Sequence, residues 1–211
     1  TLSSSSAASD VYKRQLLNLF GRIMKIKQII TQGAKDIFVK NGFENTKILD
    51  ISRHIKKGKS SIYYHFKNKD EILAAIIMRE AQKIEQKIIK GLKRSSDPMQ
   101  KIREYFSIRM QMTQDIADIY TVFIKVYFEH RPNIKNLRQQ IEQKEALILS
   151  GILDEAKNRN IFFIDDTKKT TAALLSIIQS METSILLSKK LNIQEISDEL
   201  LNIFFYGIRK R

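Results

Sequence analysis

The chain has 211 residues, 43% of them apolar, with 7 Gly, 2 Pro and no Cys, which excludes a disordered polymer, disulfides, thiolate metal sites and a cysteine nucleophile. Its net charge of +14 points to an anionic partner. No apolar run reaches the ~20 residues that a membrane-spanning helix needs, so the chain reads as soluble and cytoplasmic, with no membrane partner. With so few breakers among so many Ile, Leu, Lys, Gln and Glu, an all-α fold is expected.

Residues 1–15 are Ser/Ala-rich and aperiodic, and 1–23 are set aside as a disordered or non-native leader. Met24 is a plausible natural start, with residues 16–23 able to extend the first helix. From Ile26, apolar residues fall at 26, 29, 30, 34, 37 and 38, the stripe of an amphipathic helix. Asn41-Gly42 ends it, with Gly42 suited to a left-handed position and Phe43 folding back on the core. A second helix begins near Asn45-Thr46, either of which can cap it, and carries Ile48, Ile51 and Ile55. Lys56 to Lys59 interrupts the pattern for about one turn, and a short helix runs from Ser60 to His65. Asn68 with Glu71 three residues on starts a long helix to about Arg94. Ser95 to Pro98 breaks the chain, and helices are expected over 98–114, 116–129, 134–159, 167–190 and 194–209.

Charge is concentrated where the short helices are. Residues 24–70 hold eleven Lys and Arg against four acids, half of the chain's net charge. A helix, a short polar turn and a second helix offering small polar and aromatic residues is the layout of a helix-turn-helix, whose second helix enters the major groove. Ile62 and Phe66 are four apart and share the anchoring face. Ser61, Tyr63, Tyr64 and His65 spread over the rest, where hydroxyls and an imidazole suit bases and phosphates and tyrosine rings suit thymine methyls and sugars. Lys69 opens the next helix, a favourable place for a phosphate.

The run Ser60-Ser61-Ile62-Tyr63-Tyr64-His65-Phe66-Lys67-Asn68-Lys69-Asp70-Glu71-Ile72-Leu73 resembles the TetR/AcrR family signature T-L-Y-Y-H-F-x-(S/N)-K-(E/D)-x-L. Upstream, Ala34-x-x-Ile37-Phe38-x-x-x-Gly42-Phe43 and Asp50-Ile51 match the same family. The resemblance covers about residues 26–73 and implies DNA-binding roles for Lys47, Lys59, Ser60, Ser61, Tyr63, Tyr64, His65 and Lys69. The turn departs from the family's A-G-V-S-K-G. Lys56 replaces its glycine and is expected to take a positive φ, Lys57 replaces a buried Val, and Gly58 replaces a capping Ser. Lys47 stands where a capping Thr is common.

Residues 98–211 show no catalytic constellation, the chain has no Gly-rich phosphate loop, and His54, His65 and His130 have no helix-spaced partner for a metal, so no enzyme, metal or cofactor is expected. Asp165-Asp166 reads as a turn and helix cap. Apolar and sulfur side chains at Phe106, Met110, Tyr120, Phe123, Tyr127 and Met181 are candidates for an effector pocket, which the family resemblance implies in this region. The last two helices are apolar on more than one face, and Leu175, Leu186, Leu201 and Phe205 are assigned to a two-fold interface.

The reading is an N-terminal three-helix DNA-binding domain over 24–70 and a larger α-helical effector and dimerisation domain over 71–211. The expected function is a ligand-responsive repressor that binds a pseudo-palindromic double-stranded operator as a homodimer and is released by a small hydrophobic or amphipathic effector. The alternative is a peripheral membrane or lipid-binding helical protein.

Overall fold

The computed structural model describes residues 3–128, 132–187 and 193–208. Among them are nine helices and no β-strand: α1 (Ser3–Asn41), α2 (Ile48–His54), α3 (Lys59–His65), α4 (Lys69–Leu92), α5 (Pro98–Asp115), α6 (Ala117–Phe128), α7 (Pro132–Asn158), α8 (Thr167–Leu187) and α9 (Ile193–Ile208). No helix of the described residues is long and apolar enough to cross a membrane. The chain divides into two compact units, residues 1–76 and 77–211.

The first unit is organised by a small aliphatic and aromatic core. Ile30, Ala34 and Phe38 of α1 are buried with Ile51 of α2, Ile62 of α3, Phe66, and Ile72 and Leu73 of α4. The α1 stripe read from the sequence is the buried face, although Ile29 at its edge stays exposed. Gly42 ends α1 with φ of 78°, and Phe43 returns to pack on Phe38 with ring centroids 5.0 Å apart. Residues 3–23, set aside as a leader, continue α1 as helix. No proline interrupts them, and Leu16, Leu17, Leu19 and Phe20 are exposed, so residues 14–22 carry no core packing.

The start of α2 differs from the expectation. Asn45 and Thr46 do not cap it. Asn45 Nδ2 donates to the Asn41 carbonyl at 3.2 Å and Thr46 Oγ1 to the Gly42 carbonyl at 2.7 Å, so both close the end of α1. Lys47 takes the capping position, and its ammonium has no lone pair to offer. The Asp50 carboxylate supplies the bond instead, accepting from the Lys47 backbone N–H at 2.8 Å.

The second unit is built around α5. It packs against α7, α8 and α9, and Ile102, Tyr105 and Phe106 are fully enclosed. Asp97 caps α5 through Met99 N at 3.3 Å and Gln100 N at 3.2 Å, with Pro98 in its first turn as expected. Asp166 caps α8, accepting from Lys169 N at 3.1 Å, and these backbone bonds hold its carboxyl below the ordinary range. Lys101 of α5 reaches Glu155 of α7 at 2.5 Å, which holds the Glu155 carboxyl low.

Two of the four residues assigned to a two-fold interface are instead used inside the protomer. Leu201 is 3% exposed and Phe205 4%. The Phe205 ring stacks on Phe162 at 5.8 Å and lies under the Arg103 guanidinium at 4.9 Å. The reason is that α9 turns this face onto α5, so Ile203 and Tyr206 are left outward. Leu175 is half-buried, and the side chain of Leu186 lies outside the described residues.

Candidate nucleic-acid interface

α3 is only seven residues long, too short to hold itself together, and its stability comes from packing. Ile62 is fully buried and Phe66 nearly so, as the four-residue spacing requires. This leaves Tyr63 53% exposed and Tyr64 78% exposed on the other faces. Large exposed aromatics on a helix that is otherwise pinned to its core are a contact surface. Lys59 and Ser60 in the first turn are also exposed, whereas Ser61 and His65 are half-buried. The His65 ring meets Tyr64 edge-on at 4.9 Å. Burial, and then the positive charge of Lys27, lower its pKa, so His65 is neutral at pH 7 and offers one donor and one acceptor.

The turn between α2 and α3 keeps the helix-turn-helix geometry despite its departures. Lys56 takes the left-handed conformation with φ of 52°, as expected of a lysine in a glycine position. Ser52, a residue that the sequence reading passed over, closes the turn from inside. Its hydroxyl donates to the Lys57 carbonyl at 2.6 Å, and its own carbonyl accepts from Lys57 N at 3.1 Å. Ser52 is buried, and Lys57 is exposed rather than packed. Arg53, Lys56, Lys57 and Lys59 therefore form an exposed cationic run beside the tyrosines. Lys47 is exposed at the start of α2.

Lys69, assigned to a phosphate contact from the sequence, also has partners within the fold. Its ammonium donates to the Phe43 carbonyl at 2.9 Å and the Glu44 carbonyl at 3.1 Å, lies 4.4 Å from the Phe43 ring centroid, and pairs with Glu44 at 3.7 Å. The lysine ties α4 to the loop after α1. Next to it, Asn68 Oδ1 accepts from Glu71 N at 2.9 Å, the start signal read from the sequence. Glu71 reaches back to Lys67 N, also at 2.9 Å.

Two features that hold α2 against α1 had no sequence signal. A Cβ at Gly33 would lie 2.1 Å from Ile55 Cγ2, so glycine lets the helices approach. His54, read as isolated, meets Asp36 across the same contact at 3.4 Å, and Gln32 donates to Asp36 at 3.3 Å. His130 lies outside the described residues.

In the second unit, Phe106, Met110 and Met181 are buried. A separate groove lies between α4 and α7, with walls that include Ile84, Ile88, Ile141, Glu145 and Ile148. The side chains of Tyr120, Phe123 and Tyr127 lie outside the described residues. Beside Phe106 and Met110 sits a charged group missed by the sequence reading. Arg109 contacts Glu145 and lies 2.6 Å from Glu182, while Thr113 donates to Glu182 at 3.0 Å. Nothing in their spacing announced it, because its members come from three helices.

A family model described as bacterial regulatory proteins, tetR family, matches residues 30–76. The chain is 22% identical to the HTH-type transcriptional regulator QacR of Staphylococcus aureus, over 89% of this chain and 100% of that relative. It is 23% identical to the fatty acid metabolism regulator protein of Bacillus subtilis, over 89% of this chain and 97% of the relative. A crystal structure from Saccharomonospora viridis, of a protein in complex with choline, shares the fold at a TM-score of 0.74 and 18% identity, over 89% of this chain and 100% of that one.

Proposed function

We propose that the chain is a member of the tetR family of bacterial regulatory proteins, whose family model its residues 30–76 match, and that it is a ligand-responsive transcriptional repressor working in the cytoplasm. It binds a pseudo-palindromic operator as a homodimer and is released by a small-molecule inducer. The observation that carries this reading is α3, anchored by buried Ile62 and Phe66 and exposing Tyr63 and Tyr64 beside Arg53, Lys56, Lys57 and Lys59. Lys47, Lys59 and the turn lysines hold phosphates and set the register, while Ser60, Ser61, Tyr63, Tyr64 and His65 meet base edges and sugar. Lys69 supports this surface from within.

Residues 24–70 act as the reading head, and residues 71–211 bind the effector and the second subunit. Induction requires an effector that binds one conformation of the dimer more tightly than the other, since equal affinity shifts nothing. The choline bound by the neighbour from Saccharomonospora viridis and the fatty acid metabolism named for the Bacillus subtilis relative set two contrasting chemistries for that effector. The membrane-surface alternative draws on the same basic face, and the helix-turn-helix layout supports the duplex reading over it.

The test is binding of the protein to the DNA upstream of its own gene across a salt series. Counterion release from several phosphate contacts makes the affinity fall steeply and linearly on logarithmic axes. A flat salt response, or binding to anionic vesicles in place of any duplex, defeats the proposal.

A further inference from the structure

Among the described residues of the second unit, α5, α7 and α8 enclose two carboxylates around one guanidinium. Tyr105, Arg109 and Thr113 are spaced by four along α5 and share one face. Across from them stand Glu145 of α7 and Glu182 of α8. The Arg109 guanidinium engages both carboxylates, meeting Glu182 Oε1 at 2.6 Å. Thr113 donates to that same oxygen at 3.0 Å. Glu182 is 1% exposed, and its second oxygen, Oε2, has no hydrogen-bond partner. The Tyr105 hydroxyl, fully buried in the field of Arg109, Glu145 and Glu182, has none either.

One guanidinium thus answers two carboxylates. Among the described residues, Arg138 pairs with Glu142 at 2.6 Å and Lys144 with Glu85 at 3.2 Å. An uncompensated buried charge is costly, and unsatisfied buried acceptors add to that cost. The group is reached from outside through Glu145, which lines the groove between α4 and α7. The walls of that groove are largely apolar, with Ile84, Ile88, Ile141 and Ile148.

We propose that the Glu145–Arg109–Glu182 group, with Tyr105, is a recognition site for an organic cation, so that the effector is an amphipathic ammonium and not a carboxylate. The inference rests on the ligand-responsive reading above and names its ligand class. The alkyl body lies in the groove and the ammonium meets the surplus charge at Glu145 and Glu182, with the Tyr105 ring and hydroxyl oxygen as further cation-binding surface. A fatty acid placed there would bring a second uncompensated negative charge. Burial and the neighbouring Glu182 raise the Glu145 pKa against the opposing Arg109, which is consistent with a site that takes up a positive charge.

The experiment compares dodecyltrimethylammonium with dodecanoate, equal in chain length and opposite in charge, by calorimetric titration of the full chain below the micellar concentration of each. The ammonium is expected to bind at least on the order of tenfold tighter. Glu182→Gln leaves Arg109 and Glu145 as a balanced pair, so the variant keeps or gains thermal stability while its ammonium affinity falls on the order of tenfold. Glu145→Gln does the same if the first variant fails to fold. Dodecanoate binding as tightly as the ammonium, no binding of either, or undiminished ammonium affinity in the folded variants overturns the proposal. Operator binding by the unliganded protein is measured in the same buffer. Its loss would count against the regulator reading alone, while a preference for dodecanoate with intact operator binding would count against the cation site alone.

Discussion

Tyr63 and Ile62 are neighbours in sequence and opposites in the fold: one keeps 53% of its surface exposed and the other none. That contrast separates contact residues from structural ones along α3. Tyr63→Ala is expected to lower operator affinity by about 1–3 kcal/mol, as for a direct contact, with the melting temperature barely changed. Band-shift titration and thermal unfolding together check this, and an unfolded variant would return the tyrosine to the core. Lys69 belongs to the other class. Its ammonium satisfies two loop carbonyls and covers Phe43, so Lys69→Ala removes charge-assisted bonds worth about 1–3 kcal/mol and should lower the melting temperature. Unchanged stability with lost DNA affinity would show that the side chain is spent on phosphate after all.

At the level of elements, the packing of α1 against α2 turns on Gly33. In a helix interior, Gly→Ala ordinarily stabilises by about 1 kcal/mol. Here the new methyl would meet Ile55 Cγ2 at 2.1 Å, and that atom branches directly from Cβ, so it clears only if the whole β-branched side chain leaves its rotamer. Overpacking of this kind costs about 1–3 kcal/mol, so the clash outweighs propensity. Gly33→Ala should therefore destabilise the first unit and weaken operator binding by shifting α2, and a rise in melting temperature would contradict the geometry. The contact of α5, α7 and α8 has a pH signature. Burial holds the Glu145 carboxyl above its ordinary value of 4.5, so the folded state binds that proton more tightly than the unfolded chain does. Its contribution to stability is full below 4.5 and is lost as pH rises through the raised folded value. A Glu145→Gln variant should show a shallower loss of melting temperature over that rise, and parallel profiles for the two proteins would rule this out.

For the whole molecule, the proposed two-fold contact has to use what a single chain leaves uncovered. Leu201 and Phe205 are spent on α5 and Phe162, so a charge at Phe205 would test protomer folding and not assembly. Ile203 is 61% exposed and Tyr206 83%, one turn apart on α9, with Ile177 of α8 also exposed. Ile203→Glu is expected to leave helical content intact by circular dichroism while sedimentation shows separated subunits at micromolar concentration. Two half-site readers would then act singly and lose the gain from linked binding, so operator affinity falls although no DNA contact is altered. A wild-type monomer that binds a palindrome tightly would remove both the interface and the linked-reader mechanism.

The elements themselves were legible because their causes are local. Apolar spacing marked the buried stripe of α1, Gly42 its end, Asp97-Pro98 and Asp166 the starts of α5 and α8, and Ile62 with Phe66 the anchored face of α3. The positive φ of Lys56 followed from a lysine standing where the turn needs glycine. Partners chosen across the fold were not legible. Thr46 turned its hydroxyl back to α1 instead of capping α2, and Lys69 found two carbonyls more than twenty residues away. Phe205 was claimed by Phe162 and Arg103, while Glu145 and Glu182 met a single Arg109. Periodicity and capping depend on the nearest three or four residues, so a sequence states them outright. Which of several apolar faces is covered, and which charges share one guanidinium, depends on how helices distant in sequence are set against each other, and only the packed structure decides that.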